Sequence, residues 1–167
     1  MIKSFDPVVG GNPKVLILGS VPSVKSLDFN QYYGHPRNQF WPIIMSLLLD
    51  KSIDDNMSMT YSDKIEIVKL KGIAIWDVIS ACDRQGSLDS DIKNESPNDI
   101  QKLLQDYPSI HTIIFNGGKA ETSFKRFFKE IYLNEQYECL KMPSTSPAYT
   151  KSVDEKWSTW KVLLKYI

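Results

Sequence analysis

Four short apolar runs, spaced along the chain with helix-like segments between them, constrain the fold more than any other feature. They are Lys14 to Gly19 (KVLILG), Gly72 to Ile79 (GIAIWDVI), His111 to Phe115 (HTIIF) and Tyr137 to Met142. The first reads as a buried strand, and the others as the second, third and fourth strands in turn. Gln39 to Leu49 (QFWPIIMSLLL) reads as a helix with Pro42 tolerated in its first turn. Ser62 to Leu70 reads as a second helix. A third is expected after Ser96 as cap, with Pro97 at its first position and Asp99 in its first turn, ending near Tyr107-Pro108. A fourth follows the sharp turn Asn116-Gly117-Gly118 and ends near Ile131. The last, Val153 to Tyr166, carries a Ser152–Glu155 capping-box pattern. Asp50 to Thr60 is polar and irregular.

Strands alternating with helices imply parallel pairing through right-handed crossovers. The expected architecture is α/β: one domain over residues 1–167, a three-layer α/β/α sandwich with a central sheet of about four parallel strands. In such folds ligands bind beyond the carboxyl ends of the strands. The loops leaving those ends are Ser20 to Asn38, Asp77 to Glu95, Asn116 to Gly118 and Pro143 to Lys151. They are expected to line one cleft.

Composition limits what that cleft can hold. Twenty basic and twenty acidic side chains cancel, so no whole-molecule basic field draws the chain to a polyanion. A local basic face is still open to it. The two cysteines, Cys82 and Cys139, lie far apart and outside metal-type spacing, so no metal is expected. Met1 to Gly11 has no basic-then-apolar signal pattern, and no run reaches the ~18 apolar residues of a spanning helix. A cytoplasmic monomer without a membrane partner is expected.

The loop residues suggest chemistry. The first loop opens G-S-V-P-S-V-K-S-L. Gly19 allows a sharp turn and close approach of a ligand, Pro22 stiffens it, and Ser20, Ser23 and Ser26 offer hydroxyls. It continues Q-Y-Y-G-H-P-R-N-Q-F-W. Here Tyr32, Tyr33, Phe40 and Trp41 surround Gly34, His35, Pro36, Arg37 and Asn38. Flat aromatics suit a pocket for an extruded base, with Tyr33 the better stacking candidate. Phe40 is a second base-binding candidate, although Phe40 and Trp41 equally fit a helix start facing the core. Asn38 could cap that helix, hold a water molecule or read a base edge. His35 could serve as a general acid or a phosphate contact, and Arg37 as a phosphate contact.

The last loop, M-P-S-T-S-P-A-Y, brackets Ser144, Thr145 and Ser146 between Pro143 and Pro147. It is stiff and small enough to slide along a sugar–phosphate backbone. Its hydroxyls can donate to phosphates, and Ala148 or Tyr149 could fill the gap left by a flipped base. F-N-G-G-K places Asn116 at a strand end, with helix-terminal amides and Lys119 suited to anions. Asp77, at the end of the second strand, is a candidate polar group of the pocket.

Taken together and in this order, G-S-V-P-S-V-K-S-L, Y-Y-G-H-P-R-N-Q-F-W, F-N-G-G-K-A and P-S-T-S-P-A-Y resemble the hypoxanthine-DNA glycosylase branch of the uracil-DNA glycosylase superfamily, over about Val15 to Trp160. The resemblance implies a monofunctional, cofactor-free DNA-repair hydrolase acting on damaged DNA. Better-known branches carry Asp or Asn in the first motif to orient the attacking water. Val21 stands at the aligned position here and cannot do so. In the resembling branch an asparagine of the H-P-x-N segment is implicated, which corresponds to Asn38. With Ser20 and His35 it forms the expected catalytic set. The missing group favours hypoxanthine over uracil as substrate, with uracil the alternative. A flavin or nucleotide module is more distant, since neither G-x-G-x-x-G nor G-x-x-x-x-G-K-[ST] is present, and a serine hydrolase lacks its G-x-S-x-G elbow.

Overall fold

In the computed structural model, which describes residues 1–56 and 58–167, the four apolar runs form one sheet. Its strands are β2 (Val15–Gly19), β3 (Ile73–Asp77), β6 (Thr112–Asn116) and β7 (Glu138–Met142), all parallel, in the order β3-β2-β6-β7. The central strand β2 is wholly buried, and its side chains alternate between the two faces. Val15 and Ile17 join one core. Leu16 and Leu18 join the other.

Helices cover both faces, as a parallel sheet requires. On the Val15 side lie α2 (Phe40–Leu49), α3 (Tyr61–Leu70) and α7 (Val153–Trp160), contributing Phe40, Ile44, Val68 and Trp160 to the core. On the Leu16 side lie α4 (Ile100–Asp106) and α5 (Gly118–Phe127), with Leu103, Leu104 and Phe124 buried, and the short α6 (Lys129–Tyr132) continuing α5. The three-layer sandwich with four parallel strands is therefore present. Ser152 caps α7, its hydroxyl accepting from Glu155 N at 3.2 Å. A reciprocal capping box is found instead at Thr60 and Asp63, before α3.

The second strand is shorter than its apolar run. It stops at Asp77, and Ile79 opens β4 (Ile79–Asp83), which pairs antiparallel with β1 (Ile2–Lys3) and β5 (Lys93–Pro97) in a small second sheet. Ser96 and Pro97 belong to β5. The cap of α4 is Asp99, whose carboxylate accepts from Lys102 N at 3.1 Å. A short helix, α1 (Val24–Phe29), interrupts the first long loop. Within the polar stretch from Asp50 to Thr60, Ile53–Asn56 makes a 3₁₀ turn, and Met57 lies outside the described residues. Among the described residues no helix is long and apolar enough to cross a membrane, and no cluster of His, Cys, Asp or Glu could hold a metal.

Candidate active site

The carboxyl ends of β2, β3, β6 and β7 open into a cavity of about 360 Å³. Gly19, Ser20, Ser23, Tyr33, Asn38, Asp77, Asn116, Ser144, Thr145, Ser146 and Tyr149 all line it, so the strand-end loops do converge. The volume lies near the lower end of the ~300–1,000 Å³ typical of small-ligand sites.

The floor is built on Gly19. A Cβ at this position would stand 2.7 Å from Asp77 Oδ1 and 3.2 Å from the Tyr33 hydroxyl oxygen, so only glycine lets both groups close over the strand end. Asp77 is 4% exposed. Ser4 Oγ donates to its Oδ2 at 3.1 Å, and the Asn98 amide donates to its backbone carbonyl at 2.8 Å. Burial pushes the Asp77 carboxyl up to about 7, against the Ser4 hydrogen bond and the Arg84 charge, which both hold it down.

Tyr33 is unusual twice over. Its backbone sits in the left-handed region at φ 55°, and its hydroxyl is buried with no hydrogen-bond partner among the described residues. Burial, and then the Asp77 charge, push the phenol well above its ordinary range, while the Asn116 amide works the other way. One face of the Tyr33 ring is stacked on Phe40 at a centroid distance of 3.9 Å. Phe40 itself is fully buried and absent from the cavity lining. The base-binding reading of Phe40 is therefore replaced by a supporting one: it is a core residue that backs Tyr33.

Asn38 also lines the cavity. Gln39, not Asn38, is the N-cap of α2, but from one residue earlier Asn38 Oδ1 accepts from Phe40 N at 2.9 Å, which fixes which way the amide faces. The Nδ2 donors have no acceptor among the described residues. Ser20 donates its hydroxyl proton to Asp89 Oδ1 at 2.9 Å, leaving its lone pairs as acceptors. Ser23 is spent differently, capping α1 through Ser26 N.

Asn116 and Thr145 clasp two loops together. Asn116 Nδ2 donates to Thr145 Oγ1 at 2.9 Å, and Thr145 N donates back to Asn116 Oδ1 at 3.0 Å. Thr145 is fully buried, and its carbonyl accepts from Gln39 N at 3.0 Å. Its N–H, its carbonyl and its Oγ1 lone pair are all bonded inside the protein and the residue is fully buried, a placement that does not fit the expected phosphate contact. Thr145 is the knot that ties the last loop to β6 and to the start of α2. Ser144 Oγ accepts from Ser146 N, and Ser146 Oγ from Ala148 N, both at 3.2 Å, so both hydroxyl protons remain available. Gly117, at φ 95°, lets Ser144 pass within 3.0 Å of where a Cβ would stand.

Four expected residues stand elsewhere. His35 Nδ1 accepts from Arg37 N at 3.0 Å in an exposed turn, and neither His35 nor Arg37 lines the cavity. A general-acid role for His35 inside the cavity does not fit this placement. Lys119 is ion-paired with Glu95, which also holds Arg126 and Ser123, and it too is outside the lining. Pro147 is exposed beside the mouth.

The structure also brings in residues that the sequence reading passed over. Ser87, Leu88, Asp89 and Ser90, from the connection between β4 and β5, form one rim. This rim is fastened to the first loop through Ser20–Asp89, Ser87 Oγ accepting from Val24 N at 3.0 Å, and Arg84 donating to the Pro22 carbonyl. Under the last loop, Lys156 is buried, its Nζ donating to the Ser146 carbonyl at 3.3 Å and facing the Tyr149 ring. Burial lowers its pKa. Trp160 donates its indole N–H to the Pro143 carbonyl at 2.9 Å, holding the other end of the same loop. No local pattern in the sequence marks these ties, because each joins residues distant along the chain.

Comparison with known proteins agrees with this fold. The model of the uracil DNA glycosylase superfamily matches residues 7–164. A hypoxanthine DNA glycosylase from Methanosarcina acetivorans is 34% identical over 168 residues, covering 99% of this chain and 100% of that one. A hypoxanthine DNA glycosylase from Methanosarcina barkeri is 33% identical over 163 residues, covering 98% of each. The solution NMR structure of a candidate uracil DNA glycosylase from Methanosarcina acetivorans superposes with a TM-score of 0.78 at 32% identity, covering 98% of both chains. Because the family match spans all four parallel strands and every loop that leaves them, the chain belongs to the uracil DNA glycosylase superfamily.

Proposed function

We propose that this chain is a monofunctional DNA glycosylase that hydrolyses the N-glycosidic bond of a flipped-out deaminated base, hypoxanthine before uracil. The observation that carries the reading is the single cavity in which Ser20, Asn38, Asn116 and Ser144 meet. The two relatives named as hypoxanthine DNA glycosylases, similar over nearly the whole chain, favour hypoxanthine.

Extrusion costs a few kcal/mol of unstacking, least for a mispaired base such as hypoxanthine. Ser144 and Ser146 grip the phosphates with their free hydroxyl protons, and Arg37 adds a contact outside the cavity. Tyr149, exposed at the mouth, stands where a side chain could fill the gap in the stack. The base enters the cavity along the wall made by Tyr33, which Phe40 backs from the core. As the C1′–N bond breaks, the sugar gains oxocarbenium character and the departing purine gains negative charge. The unpartnered amide donors of Asn38 and the peptide N–H groups that open α5 stabilise that charge. Water held by Asn38 and hydrogen-bonded to Ser20 then adds to C1′, and the proton it sheds passes to the departing purine anion, which leaves as the neutral base. Since Val21 cannot orient water, stabilising the leaving group carries most of the rate.

The test is a panel of duplexes with single deoxyinosine, deoxyuridine or deoxyxanthosine lesions, incubated at two salt concentrations so that binding and chemistry separate. Deoxyinosine should be cut fastest. An absence of base release from every duplex refutes the proposal. Asn38→Ala should slow deoxyinosine cleavage by about 100-fold or more, as for loss of a charge-stabilising donor, and full activity in this variant removes Asn38 from the mechanism.

A further inference from the structure

Two polar groups that meet at Gly19 have unspent hydrogen-bonding capacity. Among the described residues the Tyr33 hydroxyl is buried without a hydrogen-bond partner, and Asp77 Oδ1, unlike Oδ2, receives no hydrogen bond. Both converge on the point above Gly19, at 3.2 Å and 2.7 Å from it. A buried hydroxyl left unpaired costs about 1–3 kcal/mol, and an aromatic residue in the left-handed region adds about 1–2 kcal/mol. Two unfavourable features at one residue that lines a cavity mark a site where a ligand supplies the missing partner.

We propose that the Tyr33 hydroxyl and the Asp77 carboxylate together read the lactam edge of the extruded base, and so separate a deaminated base from its amino-bearing parent. This rests on the glycosylase reading above and adds the groups that recognise the base. A flipped base enters the cavity ahead of its sugar, so its far edge meets the floor while C1′ stays near the mouth. Hypoxanthine presents an acceptor, O6, beside a donor, N1–H. Tyr33 donates to O6, and Asp77 Oδ1 accepts from N1–H. Adenine reverses the pattern: its N1 lone pair faces the carboxylate and its amino group faces the hydroxyl. Uracil, with O4 beside N3–H, satisfies the same two groups, and cytosine does not. Guanine and xanthine share the lactam edge, so this pair separates hypoxanthine from adenine without excluding either of them. Ser4 holds the carboxylate from behind through Oδ2, which leaves Oδ1 turned to the base. Phe40 fixes the plane of the Tyr33 ring.

The experiment measures single-turnover release from two duplexes at pH 8, where Asp77 is ionised. One carries deoxyinosine. The other carries 2′-deoxynebularine, a purine with neither O6 nor N1–H. The readout is the ratio of the two rates, which does not depend on the fraction of protein that is folded. The wild type should favour deoxyinosine by about 10- to 100-fold, the size of discrimination that buried hydrogen-bonding groups supply. Tyr33→Phe keeps the ring on Phe40, and Asp77→Leu removes the acceptor. Each should collapse the ratio toward one by slowing deoxyinosine alone. A wild-type ratio near one overturns the proposal, as does an unchanged ratio in either variant or an equal slowing of both substrates. Wild-type protein that releases neither base overturns the glycosylase reading instead.

Discussion

Asp77 should make this protein lose stability as pH rises, in a window where most carboxylates do the reverse. An aspartate in the unfolded chain titrates near 3.8, whereas burial in the floor raises Asp77 to about 7. Between those values the folded protein keeps a proton that the unfolded chain has released. Folding therefore takes up a proton, and stability falls with increasing pH. The penalty is absent below about pH 4, grows through pH 5 and 6, and is complete above about pH 7. At ~1.4 kcal/mol per pH unit, displacement from 3.8 to about 7 corresponds to ~4 kcal/mol. Asp77→Asn has the same shape, can still accept from Ser4, and carries no charge to bury. Urea unfolding of wild type and variant from pH 4 to 8 isolates this one group, since every other carboxyl is common to both. The expected difference in unfolding free energy is near zero at pH 4 and several kcal/mol in favour of the variant at pH 8. A difference that is flat across the range, or one that favours the wild type at pH 8, refutes the argument that the folded protein buries this carboxylate at a cost.

Three further outcomes follow from the geometry. Gly19→Ala would place a Cβ 2.7 Å from Asp77 Oδ1; the fold should survive by circular dichroism while single-turnover base release drops by about 10-fold or more, and a normal rate would show that the floor does not close on this glycine. Thr145→Val strips the hydroxyl from the Asn116 clasp and should cost about 1–3 kcal/mol by denaturant unfolding; an unchanged midpoint would mean that the clasp is dispensable. Arg37→Gln should flatten the slope of log affinity against log salt by about one for a duplex, and an unaltered slope would place Arg37 away from any phosphate.

The parallel sheet was legible because β2, β3 and β6 are largely buried on both faces and so are written as apolar runs of strand length, with the half-exposed edge strand β7 following in the same alternation. The cleft was legible for the same reason, since topology alone sends all four carboxyl ends to one edge. The second sheet was not. Its strand β5 (KNESP) is short, polar and mostly exposed, with Asn94 at φ 54°. Such a strand exists through pairing with β4, not through any pattern of its own. With β5 unseen, Ser96-Pro97 imitated a helix start, and the rim from Ser87 to Ser90 was lost in a featureless polar stretch. His35, Arg37 and Lys119 show a different limit. A motif reports which residues are neighbours in sequence, but the direction of a side chain depends on local bonds. The His35 ring turns back to accept from Arg37 N, and Lys119 turns to Glu95.

The same limit explains why Asn38 resisted a choice between structural and functional readings, and why the clasp between Asn116 and Thr145 went unread. Asn38 holds the first N–H of α2 with one end of its amide and lines the cavity with the rest. Asn116 holds Thr145 with both ends of its amide, yet still lines the wall. A donor that is already fixed by a structural bond needs no reorganisation when charge develops on a leaving group, which is where electrostatic catalysis gains most. In a site without a strong water-orienting group in its first motif, rigid donors are the available source of rate. Substitutions at these positions should therefore lower stability and base release together. Only readouts internal to each variant, such as the ratio of two substrates, can separate the two effects.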